Sequence, residues 1–179
     1  ILMQEGRGDR FVVLALGSGD YEKQYRERVT AEGLTEKIRF LPFQRNVAEL
    51  MQGCDAVVMP SVWEAYPLLT SEVFCCGVPL IASDCPGLRE AVQETPAVRV
   101  RSRDARDLAA GMIRAIEDRG VGEQARAFRA EAATRYDVRR SAEQLIGLLE
   151  RLGQGVGNQA PTERGSGTPS EERSSSEHP

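Results

Sequence analysis

The chain has 179 residues with 23 basic and 27 acidic side chains, a net charge of −4. That length suits one domain with a real core, and no Lys/Arg cluster interleaved with aromatics marks a nucleic-acid partner. No apolar run nears the roughly 20 residues that span a bilayer, and the opening I-L-M-Q-E-G lacks the parts of a signal peptide.

The four cysteines, Cys54, Cys75, Cys76 and Cys85, include no C-x-x-C pair, and the single histidine is His178, in the tail. This argues against a zinc site and against a disulfide framework. The thiols read as small, partly buried side chains in a reducing, cytoplasmic setting. With no histidine in the folded part, Ser-His-Asp and Cys-His catalysis drop out.

In chain order, residues 1–9 read as a helix end and a turn, and a start of that kind without Met points to a fragment. Residues 10–16 (R-F-V-V-L-A-L) form the first buried strand. Gly17-Ser18-Gly19-Asp20 is a turn where glycine permits positive φ or close approach of a ligand. A plain strand-to-helix turn would need the same residues. Residues 21–32 make a charged helix with Tyr25 and Val29 on one face. Residues 37–40 (K-I-R-F) are a second strand, and Asn46 is a good N-cap for a helix over 47–53.

Residues 55–60 (D-A-V-V-M-P) and 79–83 (P-L-I-A-S) are short, apolar and not alternating, as expected of strands buried on both faces of a parallel sheet. Between them lies S-V-W-E-A-Y-P-L-L-T-S-E-V-F-C-C-G, residues 61–77. Pro67 suits the first helical position. Leu68, Leu69, Val73 and Phe74 supply an apolar face, and Gly77 ends the helix. The loop 62–66 therefore falls at a strand's carboxyl end beside a helix start, where open α/β sheets bind ligands. The free N–H groups of Leu68, Leu69 and Thr70 would suit a phosphate. Glu64 and Glu72 bracket the place, and carboxylates there accept hydrogen bonds from sugar or ribose hydroxyls. The residues alone read as a site for a sugar carried on a nucleotide diphosphate.

The pattern strand, P-S, x-W-E, x, aromatic, P, L, x3, E resembles the Glu-x7-Glu motif of retaining glycosyltransferases of GT-B fold, family 4 in particular. Glu64 and Glu72 match its two glutamates, and Tyr66-Pro67 stands where F-G is usual. The resemblance covers about residues 10–150, the C-terminal, donor-binding half. It implies that Glu64 holds donor sugar hydroxyls near the reacting carbon and that Glu72 accepts from the ribose diol. Leu68 and Leu69 would present N–H groups to the diphosphate. It also implies that Gly17 and Gly19 face the nucleotide, and that the loop 41–46 with Arg45 and Val47 lies against its base and phosphates. Arg45 reads equally as a solvated surface arginine. No divalent metal or cofactor is required.

Asp84-Cys85-Pro86-Gly87-Leu88-Arg89-Glu90 resembles the family's glycine loop, with Pro86 where a second glycine is common, and Glu90 opens a short helix. A last strand covers 97–100. From Asp104 the chain turns helical, with Leu108, Met112 and Ile116 at helical spacing. Helices follow over 121–136 and 141–152, the last with Leu145, Ile146, Leu148, Leu149 and Leu152 on a wide face. Residues 153–179 are Gly, Ser, Glu, Pro and Arg in the main and are expected to stay disordered.

Strand–helix alternation predicts a doubly wound, Rossmann-like parallel α/β sheet over residues 1–152. The family's acceptor half is absent. So is the strand ending in G-R, with a following lysine, that opens its donor half. Gly6-Arg7 is not that motif, because the first strand comes after it. The implication is weak donor binding and no transfer by this chain alone. A truncated or degenerate nucleotide-sugar-binding module is the rival reading. A receiver-like domain fits poorly, since Asp20 alone does not make an acidic cluster.

Overall fold

The computed structural model describes residues 1–157. Every strand pairing in it is parallel. The strands are β1 (Val13–Leu16), β2 (Ile38–Leu41), β3 (Val57–Met59), β4 (Leu80–Ser83) and β5 (Val98–Val100). They alternate with helices α1 (Glu22–Ala31), α2 (Val47–Gln52), α3 (Leu68–Cys76) and α4 (Leu88–Ala91), then α5 (Ala105–Glu117), α6 (Arg119–Arg135) and α7 (Val138–Gly157). The ladders are two, β1–β2 and β3–β4–β5, so β1 and β3 each keep one unpaired edge. Strands β1, β3, β4 and β5 are one to three residues shorter than the apolar runs suggested, because pairing stops before the runs do, while β2 keeps its expected length and lies one residue later.

The core is built around β4. Its four residues are all buried, and it is hydrogen-bonded on both sides, with Val57 opposite Leu80 and Ile81 opposite Val98. Side chains alternate across a strand, so the two faces feed two clusters. Leu80 and Ala82 join Val73 and Phe74 of α3 and Ala132 of α6. Ile81 joins Val98, Val100 and Ala115 under α5. Phe74 meets Phe128 edge-on at 5.5 Å between centroids and stacks on Tyr136 at 6.3 Å. Each such side chain contributes about 1.5–3 kcal/mol by leaving water.

The β1–β2 side is thinner. The burial of β1 is only partial, Leu16 is exposed, and α1 buries no residue. Tyr25, expected on an apolar face with Val29, is 57% exposed and leans on Tyr21 instead. Between α1 and β2 the Arg26 guanidinium lies over the Phe40 ring, 4.5 Å from its centroid. At the N-terminus, Ile1 to Gly6 makes one turn, and a 3-10 turn, Gly8–Arg10, leads into β1. Arg7 bonds Glu117 at 2.6 Å, and Asp9 takes Lys37 at 2.8 Å.

The chain divides into two units, Ile1–Asp137 and the remainder from Val138. The expected single domain over 1–152 thus loses its last helix to a separate unit. That helix, α7, continues to Gly157, so the boundary expected at 152/153 falls inside it. A nucleated helix propagates cheaply, one hydrogen bond per residue fixed. The rest of the stretch expected to be disordered lies outside the described residues. No helix among the described residues is long and apolar enough to cross a membrane.

Candidate functional site

The loop between β3 and α3 lies at the carboxyl end of β3. It is held from two directions. The buried Pro67 closes it into α3, and the stretch after β4 closes it from the side. Pro67 has φ −78° and ψ 110°, so it caps the helix from an extended conformation and is not the first helical residue, as its type suggested. Its carbonyl accepts both the Thr70 N–H, at 3.2 Å, and the Thr70 hydroxyl, at 2.8 Å. Thr70 is therefore not a free donor, contrary to the sequence expectation. The N–H groups of Leu68 and Leu69 stand in the first turn, where no intrahelical acceptor exists. At its other end α3 stops at Gly77 in the left-handed conformation, with the Val78 N–H returning to the Val73 carbonyl at 3.4 Å.

Glu64 is half-buried. Its Oε1 accepts from the Ser61 hydroxyl at 2.7 Å, and its N–H donates to the Pro86 carbonyl at 3.2 Å. The Ser61 carbonyl in turn accepts from the hydroxyl of Ser83, the buried last residue of β4. Glu72, one turn into α3, is exposed and makes no hydrogen bond or ion pair among the described residues. Its charge is felt by Cys76, whose thiol is pushed up mainly by burial. Trp63, Tyr66 and Leu68 are exposed by 67%, 60% and 68%, so an apolar rim surrounds the helix start. Beside it, Arg89 bonds Asp84 at 2.6 Å and holds that carboxyl below its ordinary value.

The other expected contacts stand on the β1–β2 ladder or the helix after it. Gly17 has φ +133°, which favours glycine, while Gly19 meets only open space. Arg45 is exposed and has no partner among the described residues. Asn46 caps α2, its side chain accepting from the Glu49 N–H at 3.3 Å. The Val47 side chain is partly buried against the same cluster that Leu69 packs on, so only its backbone remains for a ligand. No hydrogen bond or ion pair among the described residues ties Gly17, Gly19 or Arg45 to the Glu64 loop. A separate apolar cleft of about 400 Å³, lined by Phe11, Val13, Ile38, Leu108 and Met112, contains none of the expected site residues.

Ser61, Ser83 and Gly87 escaped the sequence reading as site residues. Ser83 did leave a signal, as the lone hydroxyl closing the apolar run L-I-A-S.

Residues 2–135, most of the chain, match the family described as glycosyl transferases group 1. The chain belongs to that family. Among curated relatives, an N,N'-diacetylbacillosaminyl-diphospho-undecaprenol alpha-1,3-N-acetylgalactosaminyltransferase of Campylobacter jejuni is 28% identical over 64% of this chain and 31% of its own length. A D-inositol 3-phosphate glycosyltransferase of Salinispora tropica is 32% identical over 73% of this chain and 27% of its own length. The solved Anabaena HepE in complex with UDP superposes with a TM-score of 0.73 at 25% identity, over 79% of this chain and 41% of that one. The chain thus spans under a third of these two curated relatives and about two fifths of the solved one. Sucrose-phosphate synthase of Thermosynechococcus elongatus, at 23% identity and a TM-score of 0.71, shares the fold. The fold here is α/β and Rossmann-like, similar to part of GT-B glycosyltransferases, and β3, α3 and the loop between them lie within the matched residues.

Proposed function

We propose that this chain is the donor-binding half of a retaining GT-B glycosyltransferase, which moves a sugar from a nucleotide diphosphate to an acceptor held by the rest of a longer protein. The observation that carries the reading is the braced Glu64 carboxylate beside the open start of α3 at the carboxyl end of β3. Glu64 holds hydroxyls of the donor sugar near the reacting carbon. Its partner Glu72 accepts from the ribose diol, with both oxygens unengaged. The N–H groups of Leu68 and Leu69 stabilise the departing diphosphate, in the direction of the helix dipole. Gly17 and Gly19 let the nucleotide approach the end of β1, and Arg45 with the Val47 backbone borders its base and phosphates. The UDP held by the Anabaena relative supports a nucleotide as the kind of ligand this fold takes. The mechanism calls on no metal ion.

The ladder order supports the place of a further strand. β2–β1 and β3–β4–β5 match a doubly wound order of six strands with one position unfilled between β1 and β3. A strand there, ending in basic residues, would add cations beside the diphosphate.

The test is calorimetric titration of the chain with UDP, GDP and ADP at millimolar concentration. One nucleotide should bind selectively, and Glu72→Ala should weaken it by about 1–3 kcal/mol through lost hydrogen bonds. Failure of all three to bind a folded chain would instead favour a degenerate module.

A further inference from the structure

Glu64 sits in a loop with no secondary structure of its own, so its aim must come from elsewhere. We propose that Ser61, Ser83 and Gly87 are positioning residues that set the Glu64 carboxylate, and that this aim gives the site its preference for a sugar-bearing nucleotide over the bare nucleotide. The inference rests on the donor-site reading above and concerns what that site discriminates.

Three contacts converge on one short loop. The Ser61 hydroxyl donates to Glu64 Oε1 at 2.7 Å. It engages one carboxylate oxygen and leaves the other open for hydroxyls of a ligand. Ser61 is itself fixed, because its carbonyl accepts from Ser83 Oγ. Ser83 is 3% exposed and ends β4, the strand paired on both sides, so the relay is anchored in the most rigid part of the sheet. The backbone is clamped independently. The Glu64 N–H bonds the Pro86 carbonyl at 3.2 Å, and next to it Gly87 lies with φ +80°. A Cβ on Gly87 would come within 2.7 Å of the Ala65 carbonyl oxygen and closer still to that of Glu64. Those obstacles are main-chain atoms, which cannot swing aside as a flexible side chain can.

The physical gain is preorganisation. A free glutamate loses up to about 2 kcal/mol of rotamer entropy when fixed, and fixing it before the ligand arrives removes that cost from binding. The effect should appear only for ligands that reach Glu64. A nucleotide diphosphate without its sugar does not, so the relay acts on the sugar increment alone.

The experiment titrates the whole chain and its variants with three pairs of probes, UDP with UDP-glucose, GDP with GDP-mannose and ADP with ADP-glucose. Circular dichroism confirms that each protein is folded. In the wild type, one sugar-bearing member should bind more tightly than its bare nucleotide. Ser61→Ala should shrink that ratio by about tenfold, the size of one hydrogen bond to a charged group, while the affinity for the bare nucleotide holds. Ser61→Thr keeps the hydroxyl and should restore the ratio. Ser83→Ala and Gly87→Ala should move it the same way; should either fail to fold, the Ser61 pair decides alone. A folded Ser61→Ala with an unchanged ratio overturns the positioning role and leaves the donor site standing, as does a wild type that binds both members of a pair equally. A wild type that binds none of the six probes overturns the donor-site reading and this inference with it.

Discussion

The two ladders of this protein share a topology and differ in how finished they are. In β3–β4–β5 the central strand is buried throughout, helices cover both faces, and the loop carrying Glu64 is tied to the loop after β4 by hydrogen bonds and by close backbone contact. In β1–β2 the strands are half-buried, α1 contributes no buried side chain, and a Cβ placed on Gly17 or Gly19 would meet nothing within 4 Å. The reason is pairing. β4 has two neighbours and β1 has one, so the layers that pack on β4 are continuous and those around β1 are not. Half of the proposed site is thereby built within this chain, and the other half stands on a ladder with an open edge.

The largest test of this contrast compares equivalent truncations. Leu80→Ala in β4 should cost about 2–5 kcal/mol in urea unfolding, whereas Val13→Ala in the partly buried β1 should cost about 1 kcal/mol. Equal losses would show that β1 is as well packed as β4. The glycines sharpen the comparison. Gly17→Ala meets only an unfavourable φ, about 1–3 kcal/mol, while Gly87→Ala adds a collision with the Glu64 and Ala65 carbonyls. Gly87→Ala should therefore be the more destabilising of the two in the same assay.

A smaller effect is pH-dependent. Hydrogen bonding to Arg89 lowers the native pKa of Asp84 from its ordinary 3.8. A depressed carboxylate stabilises the fold above its unfolded pKa and loses that contribution as the pH falls through the native value. Asp84→Asn should thus be less stable than the wild type near pH 7, with the gap closing as the pH falls below 3.8. A constant gap in acid-titrated unfolding would assign the effect to packing. The smallest change is expected at Tyr136, whose buried hydroxyl has no hydrogen-bond partner among the described residues. Tyr136→Phe should keep the stack on Phe74 and shift stability by no more than about 0.5 kcal/mol. A clear loss by thermal melting would reveal a partner for that hydroxyl.

Much of the fold was legible because its signals are local. The runs V-V-M and L-I-A-S are apolar without alternation, and the segments around Asn46 and Gly77 carry their own caps, which the structure uses as expected. The misses are of another kind. Pro67 was read as the first helical residue, but Tyr66-Pro67 enters from an extended conformation that the packing of the loop dictates. Tyr25 was read as a packing face, but a helix on a half-built ladder has little to pack against. At the site, Glu64 and Glu72 stood out by spacing and by their flanking residues. The hydroxyls that brace Glu64 did not, because Ser61 and Ser83 lie 22 residues apart and meet only through the pairing of β3 with β4.

By itself the sequence determined the order of strands and helices, the parallel character of the sheet and the placing of Glu64 in the loop after β3. Each of these follows from residue type and short spacing, through side-chain periodicity, capping and the rules for connecting parallel strands. Tertiary structure alone decided that the sheet would appear as two ladders and that the loop after β4 would clamp Glu64 from the side. Those outcomes depend on which distant backbone groups come within hydrogen-bond reach. That is a property of the packed chain and is written in no single stretch of it.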